Sequence, residues 1–153
     1  MSQKTSHRIR LANDNDLASC IDLSRASWPS WWSRNAALGK KHVRDCIQQQ
    51  RCLVVTINNE IIAFLVWGTL WNKIHLQDIF VKDKYRKSGY GTKLIKLAVK
   101  MSREKGFKEV ISDTDISNKR SIAFHLRNGF KKSGYIRKNW DNEDSVVFSK
   151  KIR

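Results

Sequence analysis

Polar and apolar residues alternate along several short segments of the chain, and clusters of turn residues separate these segments. Alternation with a period of two is typical of half-buried strands, and β-branched and aromatic residues favour the same structure. The pattern predicts seven strands, which are His7–Ala12, Cys52–Ile57, Glu60–Trp71, Ile74–Val81, Lys108–Asp113, Phe130–Arg137 and Ser145–Lys151. Asn58–Asn59 predicts a tight hairpin turn after the second strand, and Asn139–Asp144 predicts a polar loop between the last two.

Helical periodicity fills most of the intervening sequence. Leu94, Leu97, Ala98 and Met101, for example, recur at the spacing of one helix face, and Gly106 follows as a stop. The first predicted helix runs from about Asp16 to Ala26 and is capped by Asn13–Asp14, and the second is a stretch that ends near Gln50. The third runs from Gly89 to Lys105. The fourth runs from Asn118 to Asn128, with Gly129 as a left-handed stop. The order β-α-α-β-β-β-α-β-α-β-β predicts an α/β sandwich around a mixed sheet, and neither a doubly wound fold nor a barrel.

Length and composition indicate one domain over residues 1–153. A chain of 153 residues with 41% hydrophobic residues and six tryptophans has enough apolar surface for a single core. No apolar run approaches the roughly 20 residues that a membrane helix needs, so we expect no membrane partner. Cys20, Cys46 and Cys52 are odd in number and lack metal-ligand or CxxC spacing, which favours reduced thiols in the cytoplasm.

The positive charge of the chain is concentrated in its second half. Of a net charge of +16, residues 81–153 contribute +12, from 20 Lys and Arg against 8 Asp and Glu. Such a field attracts anions and speeds their capture. Two interpretations stay open for it: a solvated lysine surface, or an acidic macromolecular partner such as RNA, the ribosome or an anionic protein. Against RNA, no RNA-binding motif interleaves these basic residues with aromatic ones.

The segment Arg86–Thr92 stands between a predicted strand and a predicted helix, which is the arrangement of an anion cradle. The first N–H groups of a helix lack internal partners, its dipole is positive at that end, and glycine lets the backbone approach a phosphate. The P-loop pattern is absent, and a dinucleotide fingerprint would need a third glycine. The sequence therefore predicts a phosphate-bearing ligand of another kind.

Two motifs give the chain a family resemblance over essentially its full length. The stretch LQDIFVKDKYRKSGYG (76–91) contains Arg-x-x-Gly-x-Gly/Ala, and NKRSIAFHLRNGF (118–130) follows Asn-x-x-Ala-x-x-Leu/Phe-Tyr-x-x-x-Gly-Phe. In this order and on these elements they resemble the cofactor strand, pyrophosphate loop and following motif of the GCN5-related N-acetyltransferases (GNAT), which use acetyl-CoA. Ser121 stands in place of the usual alanine, and His125 in place of a common tyrosine.

The resemblance implies a GNAT-like three-layer sandwich, with a mixed, mostly antiparallel sheet of about seven strands and about four helices. It also implies direct transfer of an acetyl group to a primary amine. Main-chain groups near Ile79 and Val81 would bind the acetyl carbonyl and the pantetheine arm, and His125 would protonate the leaving thiolate or only pack against the cofactor. The implied cofactor-binding residues are Ile79, Phe80, Val81, Arg86, Lys87, Ser88, Gly89, Tyr90, Gly91, Thr92, Asn118 and His125.

Attack by an amine requires a base, because an alkylamine with a pKa near 10 is almost wholly protonated at pH 7. Asp78, Asp113 and Asp115 lie on or beside the strands that would flank the acetyl group, and His75 is a fourth candidate. We take Asp113 and Asp78 as the catalytic carboxylates. Asp113 or Asp115 could instead cap the helix that begins near Asn118, and His75 could be a surface residue of its strand.

Strand alternation divides these candidates between two faces. Asp78 is expected on the face of Phe80, whereas His75, Gln77 and Ile79 are expected on the opposite face. The candidate side chains therefore should not all line one pocket.

The sequence from Ser112 to Asp115, together with His125 and the ending Val146–Lys151, most resembles one group of aminoglycoside 6′-N-acetyltransferases. In that group an aspartate at the place of Asp113 helps to hold the cationic sugar, and a glutamate stands where Gln77 stands here. The substrate-binding candidates are Trp28, Gln77, Asp113 and Asp115. The tryptophans of the segment, Trp28, Trp31 and Trp32, either wall the acceptor groove or anchor the first two helices.

Three other hypotheses for function and assembly stay open. The acceptor could be a lysine or N-terminus of a protein, or the aminoacyl group of a charged tRNA, and either would use the basic surface. The chain could also be a non-catalytic, basic nucleic-acid-binding module on the same fold. A homodimer is kept as a further expectation.

Overall fold

A computed structural model of the chain describes residues 6–25, 28 and 33–153. The strands are β1 (His7–Leu11), β2 (Cys52–Ile57), β3 (Glu60–Leu70), β4 (Lys73–Val81), β5 (Glu109–Asp115), β6 (Lys131–Trp140) and β7 (Glu143–Lys151). The helices are α1 (Leu17–Ser24), α2 (Ala36–Gln48), α3 (Tyr90–Glu104) and α4 (Lys119–Arg127). These elements follow one another in the predicted order.

The seven strands form one sheet in the order β1-β2-β3-β4-β5-β7-β6. Every neighbouring pair is antiparallel except β4 and β5. The β4–β5 ladder is short: it joins Ile74–Leu76 to Val110–Ser112 and ends there, although β4 continues to Val81 and β5 to Asp115. The two strands therefore separate beyond Leu76 and Ser112 and leave a gap in the middle of the sheet.

Helices cover both faces of the sheet and make three layers. Val43 and Cys46 of α2 are buried with Cys20 of α1 against one face, which we call the α1–α2 face. Leu94 and Ala98 of α3 are buried against the other, the α3–α4 face, where Phe124 of α4 also packs. The predicted fold class, an α/β sandwich around a mixed and mostly antiparallel sheet, is confirmed. Among the described residues, no helix combines the length and apolar character needed to cross a bilayer.

The ends of several elements differ from the sequence prediction. β6 and β7 extend to Trp140 and Glu143, so the polar loop predicted over Asn139–Asp144 is wrong. Asp141 and Asn142 have φ values of 46° and 65°, and this left-handed pair closes the hairpin in two residues. β5 continues two residues past its predicted end, so Asp113 and Asp115 lie in a strand and do not cap α4. Trp31 and Trp32 lie outside the described residues.

A β-bulge in β4 overturns the predicted division of the candidate residues between two faces. Val66 of β3 is opposite Asp78, and Trp67 is opposite Leu76, so Gln77 has no opposite residue. Because a bulge adds one residue to one strand, it reverses the alternation beyond it. Asp78 consequently shares the α1–α2 face with His75 and Gln77. The expectation that these side chains cannot line one pocket is wrong.

Candidate active site

The segment after β4 forms an anion cradle at the start of α3. Gly89 precedes the helix with φ 84°, and Lys87 has φ 62°, so the chain turns sharply there. The first intrahelical bond joins the Lys93 N–H to the Gly89 carbonyl at 3.0 Å. The N–H groups of Tyr90, Gly91 and Thr92 therefore lack partners within the helix. The first turn of α3 contains no acidic residue, which suits an anion.

Two contacts fix the position of this cradle. Arg86 Nε donates to the Val81 carbonyl at 3.1 Å, and its Nη1 lies 2.8 Å from Asp83 Oδ1, so the guanidinium is bound to the end of β4 and the turn behind it. A Cβ added to Gly91 would lie 3.0 Å from Cζ of Phe124. A larger residue than glycine would therefore have to displace the Phe124 ring where the start of α3 meets α4. Ser88 is exposed within the cradle.

The free edge of β4 presents main-chain groups toward the gap. The Lys82 N–H bonds the Ile62 carbonyl at 2.9 Å, and the N–H groups of an antiparallel strand point alternately to its two sides. The main-chain groups of Ile79 and Val81 therefore face away from β3 and into the gap. Those of Phe80 face β3, and its ring stacks on Phe64 at 6.4 Å on the α1–α2 face. The geometry therefore does not favour the predicted cofactor contact of Phe80.

Asn118 and His125 both have partners within their own region of the fold. Asn118 Oδ1 accepts from the Ser121 N–H at 3.0 Å, so Asn118 caps α4. His125 is 4% exposed, with Nδ1 2.7 Å from the Ser121 carbonyl and Nε2 2.9 Å from Ser112 Oγ. Its ring stacks on Phe148 with centroids 4.6 Å apart. Burial lowers the pKa of His125, which keeps the imidazole neutral near pH 7.

His125 thus meets the gap through Ser112. Ser112 is the last residue of β5 that pairs with β4, and its hydroxyl lies 3.4 Å from the Leu76 carbonyl. The Ser112 hydroxyl is therefore between the imidazole and the point where the strands separate. A proton donated by His125 toward the gap would pass through this hydroxyl.

A hydrogen-bonded network centred on Asp113 lies on the α1–α2 face. His75 Nε2 is 2.9 Å from Asp113 Oδ1, and the second carboxylate oxygen accepts from Trp140 Nε1 at 3.2 Å and from Asn139 Nδ2 at 3.4 Å. The side chains of His75 and Asp113 are 24% and 16% exposed. His75 is therefore a partner of a half-buried carboxylate rather than an isolated surface residue of its strand.

A second histidine–carboxylate pair lies beside the bulge. His42 of α2 has Nε2 3.6 Å from Asp78 Oδ2. The Asp78 carboxylate, and next the Cys46 thiol, raise the pKa of His42 to about 10, so His42 is a cation at pH 7. Gln77 lies over Gly68, where an added Cβ would come within 2.7 Å of its Nε2, and its Oε1 is 4.0 Å from Cys46 Sγ.

Several carboxylates lie close together at the end of the sheet that contains Asp113. Burial raises the pKa of Asp115, and the negative charges of Glu143, Asp113 and Asp141 raise it further. The β6–β7 turn is held there because the Asp144 carbonyl accepts from the Ile116 N–H at 2.9 Å. Four of the eight acidic residues in residues 81–153, namely Asp113, Asp115, Asp141 and Glu143, lie together in this region. We call these four residues the acidic cluster.

Trp28, the described member of the predicted tryptophan group, packs between the first two helices. Its Nε1 donates to Ser24 Oγ at 2.9 Å, and a Cβ added to Gly39 would lie 2.7 Å from its ring. This contact joins α1 to α2. It agrees with the anchoring alternative for Trp28.

Comparison with known proteins decides the family. The model of the Acetyltransferase (GNAT) family matches residues 17–130, a span that contains the cradle, the gap and the helix α4. The chain belongs to the Acetyltransferase (GNAT) family.

Relatives and solved structures agree with this assignment. An N-alpha-acetyltransferase from Sulfurisphaera tokodaii is 25% identical over 157 residues, covering 94% of this chain and 92% of that protein. A spermidine N(1)-acetyltransferase from Thermoplasma acidophilum is 24% identical over 141 residues, covering 80% and 87%. The structure of Ard1 from Thermoplasma volcanium superposes with a TM-score of 0.83 at 15% identity, covering 96% of this chain and 98% of that one.

Membership makes the chain an N-acetyltransferase, and the cosubstrate of the family is acetyl-CoA. The residues present fit this group. The cradle offers unpaired N–H groups and no acidic side chain, as a pyrophosphate requires, and the free edge of β4 leads from it into the gap. The narrower resemblance to aminoglycoside 6′-N-acetyltransferases stays a prediction.

Sequence reasoning missed four residues of this site. Ser112, Asn139 and Trp140 bond to predicted site residues, and His42 pairs with Asp78. Trp140 carried a usable signal, since an isolated tryptophan among acidic residues near a hairpin is unusual on a solvated surface. His42 carried none, because its contact depends on where α2 crosses the bulged strand.

Proposed function

We propose that the chain transfers the acetyl group of acetyl-CoA to a primary amine of a small polycation, either a polyamine or an amino sugar, bound at the acidic cluster. The observation that supports this acceptor is the accumulation of carboxylates around Asp113 in a chain of net charge +16. A cationic acceptor would relieve the repulsion that raises the pKa of Asp115. The similarity to a spermidine N(1)-acetyltransferase over 80% of the chain agrees with it.

The two substrates would approach from opposite faces of the sheet. When bound, acetyl-CoA supplies an acetyl thioester that an amine can attack. The N–H groups of residues 89–92 would hold its pyrophosphate, and the inward main-chain groups of Ile79 and Val81 would orient its pantetheine arm and polarise the acetyl carbonyl. One such preorganised donor is typically worth about 3 kcal/mol. The amine would lie on the α1–α2 face, beside His75 and Asp113.

We assign the base to His75, with Asp113 as its positioning residue. If His75 Nε2–H donates to Asp113, the Nδ1 atom is left to take a proton from the ammonium group, directly or through water. The Asp113 carboxylate then stabilises the imidazolium that forms. Asp78 is already paired with the cationic His42, so we do not assign it as the base, and Asp115 is better suited to binding the cationic acceptor. This assignment adds His75 to the catalytic group and moves Asp113 to a supporting role.

On the other side of the gap, the leaving thiolate would need a proton. Ser112 Oγ, bonded to His125 Nε2 at 2.9 Å, is the donor we propose there. Because the Nδ1–H of His125 is bound to the Ser121 carbonyl, only the imidazolium carries a proton on Nε2. A proton taken up from solvent at Nε2 would pass to the hydroxyl as the hydroxyl proton passes to the thiolate, and the imidazole would end neutral. His125 would therefore act through Ser112.

A thiol-release assay with acetyl-CoA tests the acceptor class. With spermidine or a kanamycin-type sugar as acceptor, free CoA should be released much faster than with a neutral amine of the same size. Asp115→Asn should raise KM for the polycations with little change in kcat. Asp22→Asn is the matched control, because Asp22 is exposed on α1. Activity confined to peptides or aminoacyl-tRNA would contradict the proposed acceptor.

The N-terminus of a peptide is the second candidate acceptor. It is favoured by the similarity to an N-alpha-acetyltransferase over 94% of the chain. The α-amine of a peptide also carries a positive charge, but a peptide lacks the additional amines that several carboxylates would bind. An unchanged KM for a peptide in Asp115→Asn, together with faster turnover than spermidine, would favour this candidate.

A further inference from the structure

The end of the sheet opposite the acidic cluster carries an exposed tryptophan on a strained turn. Leu70 pairs with Lys73, so Trp71 and Asn72 form the two-residue turn between β3 and β4. Trp71 is 82% exposed, more than any other large hydrophobic side chain among the described residues. It also has φ 54°, at a position where hairpin turns favour glycine or asparagine. Burial and turn geometry both fail to explain this tryptophan.

Two basic clefts lie at the same end of the sheet as this turn. One, of about 150 Å³, is lined by Arg51 and Lys105 together with Thr69 and Ile74, the second strand pair from the turn. The other, of about 500 Å³, is lined by Arg103, Lys108, Lys151 and Arg153. Phe107 lines both, so the clefts are adjacent. We call these six basic residues and Trp71 the basic end.

The positive charge of the basic end is not neutralised by nearby described acids. Glu109 lies 2.9 Å from Lys73, and Glu104 lies 3.9 Å from Lys100, so each is already paired with another lysine. Arg51 is fixed in place because its Nη1 donates to the Trp67 carbonyl at 3.0 Å and its Nη2 to Gln49 Oε1 at 2.6 Å. The basic end therefore carries uncompensated positive charge, and Arg51 is held in place within it.

The basic end is separate from the cofactor cradle. The cradle lies at the first residue of α3, and Arg103 and Lys105 lie at its other end. A helix of 15 residues is about 22 Å long. The pyrophosphate held at one end of α3 therefore does not reach the basic residues at the other.

We propose that the basic end binds single-stranded nucleic acid, with one base stacked on Trp71 and neighbouring phosphates in the basic clefts. A planar ring beside lysines and arginines is how sequence-tolerant single-strand binding is built, since every base can stack and every phosphate carries charge. An acidic peptide would use the charges but has no need for the ring. A bilayer is flat and cannot enter clefts.

Fluorescence anisotropy with a labelled oligouridylate of about 12 nucleotides tests the proposal, since site sizes for such surfaces span roughly 4–16 nucleotides. The wild type should bind, and Trp71→Gly should weaken binding by about tenfold while raising Tm, because glycine relieves the left-handed turn. Trp71→Phe, which keeps a ring, should stay close to the wild type. If Trp71 had a structural role, its replacement would lower Tm. A variant that binds more weakly but has a higher Tm therefore indicates a binding role.

Charge is tested in the same assay at several salt concentrations. Each phosphate contact on a single strand contributes about 0.7 to the slope of log Kobs against log salt, so Lys108→Ala/Lys151→Ala should lower that slope by about 1.4. Lys96→Ala, on an exposed site in the middle of α3, should leave it unchanged. Single-stranded DNA should also bind, and Trp71→Gly should weaken its binding as well. This result would show that the basic end binds both single-stranded RNA and single-stranded DNA.

Several results would overturn the proposal. Equal affinity of Trp71→Gly and wild type for the oligonucleotide would remove the stacking. Competition by polyglutamate as effective as that by oligouridylate would indicate an acidic protein partner. Binding to phosphatidylserine vesicles without binding to the oligonucleotide would indicate a membrane surface. Thiol release should be the same in wild type and Trp71→Gly, so this test is independent of the proposed acceptor.

Discussion

Asp113→Asn removes one negative charge from the centre of the acceptor network and leaves its shape unchanged. In the wild type the carboxylate accepts bonds from His75, Trp140 and Asn139. An asparagine has one acceptor oxygen, and its NH₂ group would face a donor. At least one donor therefore loses its partner, and the bond to His75 loses its charge.

The expected magnitudes follow from these bonds. A hydrogen bond to a charged group is worth about 1.5–3 kcal/mol, and half-exposed donors recover part of this energy from water. The free energy of unfolding should therefore fall by about 1–2 kcal/mol. A positioned base contributes about 10²–10⁴ to the rate. With His75 unsupported, kcat for spermidine should fall by about 100-fold.

The assay compares kcat from thiol release with the Kd of acetyl-CoA from calorimetry. The Kd should not change, because Asp113 lies on the face opposite the cradle. Asp22→Asn, the same substitution on the exposed side of α1, should keep both quantities. A fall in kcat of less than threefold would refute the role of the His75–Asp113 pair as the base.

Three further predictions concern the cradle, the second histidine pair and His125. Gly89→Val should weaken acetyl-CoA binding by about tenfold in calorimetry, because a left-handed conformation costs a branched residue roughly 1–2 kcal/mol. Gly106→Val is the control: Gly106 also has a positive φ, 87°, but lies at the other end of α3, so acetyl-CoA binding should not change. Asp78→Asn should flatten the pH dependence of the free energy of unfolding measured in urea. The raised pKa of His42 stabilises the wild type fully below the ordinary value of about 6.5, and this contribution is lost as pH rises through about 10. His125→Phe should lower turnover far more than it weakens acetyl-CoA binding; unchanged turnover would remove His125 from the mechanism.

The fold and the cofactor side could be predicted because their signals are local. The cradle depends on Gly89 and on a helix that begins directly after it, and both are visible in the order of the residues. Strand order follows from alternation and from turn residues such as Asn58 and Asn59, whose φ values of 50° and 63° fit a two-residue turn. The family motifs lie on these same elements.

The arrangement of the acceptor side could not be predicted, although Asp113, Asp115 and His75 were candidates, because the arrangement depends on strand register. The bulge at Gln77 leaves no signature in the sequence, yet it decides which face Asp78 occupies. The pairing of His75 with Asp113 requires that β4 and β5 be neighbours, and these residues are 38 positions apart. The role of His125 likewise depends on Ser112, which looks like an ordinary strand residue until the two strands are placed side by side.

We infer that the gap between β4 and β5 separates a cofactor side from an acceptor side. NMR titrations that follow the amide resonances of a ¹⁵N-labelled sample test this separation directly, because a 17.9 kDa chain gives resolved spectra. Titration with CoA should shift Ile79, Val81 and Gly89–Thr92, and later addition of spermidine should shift Asp113 and Asp115. Shifts from CoA that centre instead on Arg51 and Lys105, or from spermidine that centre on the start of α3, would contradict the account.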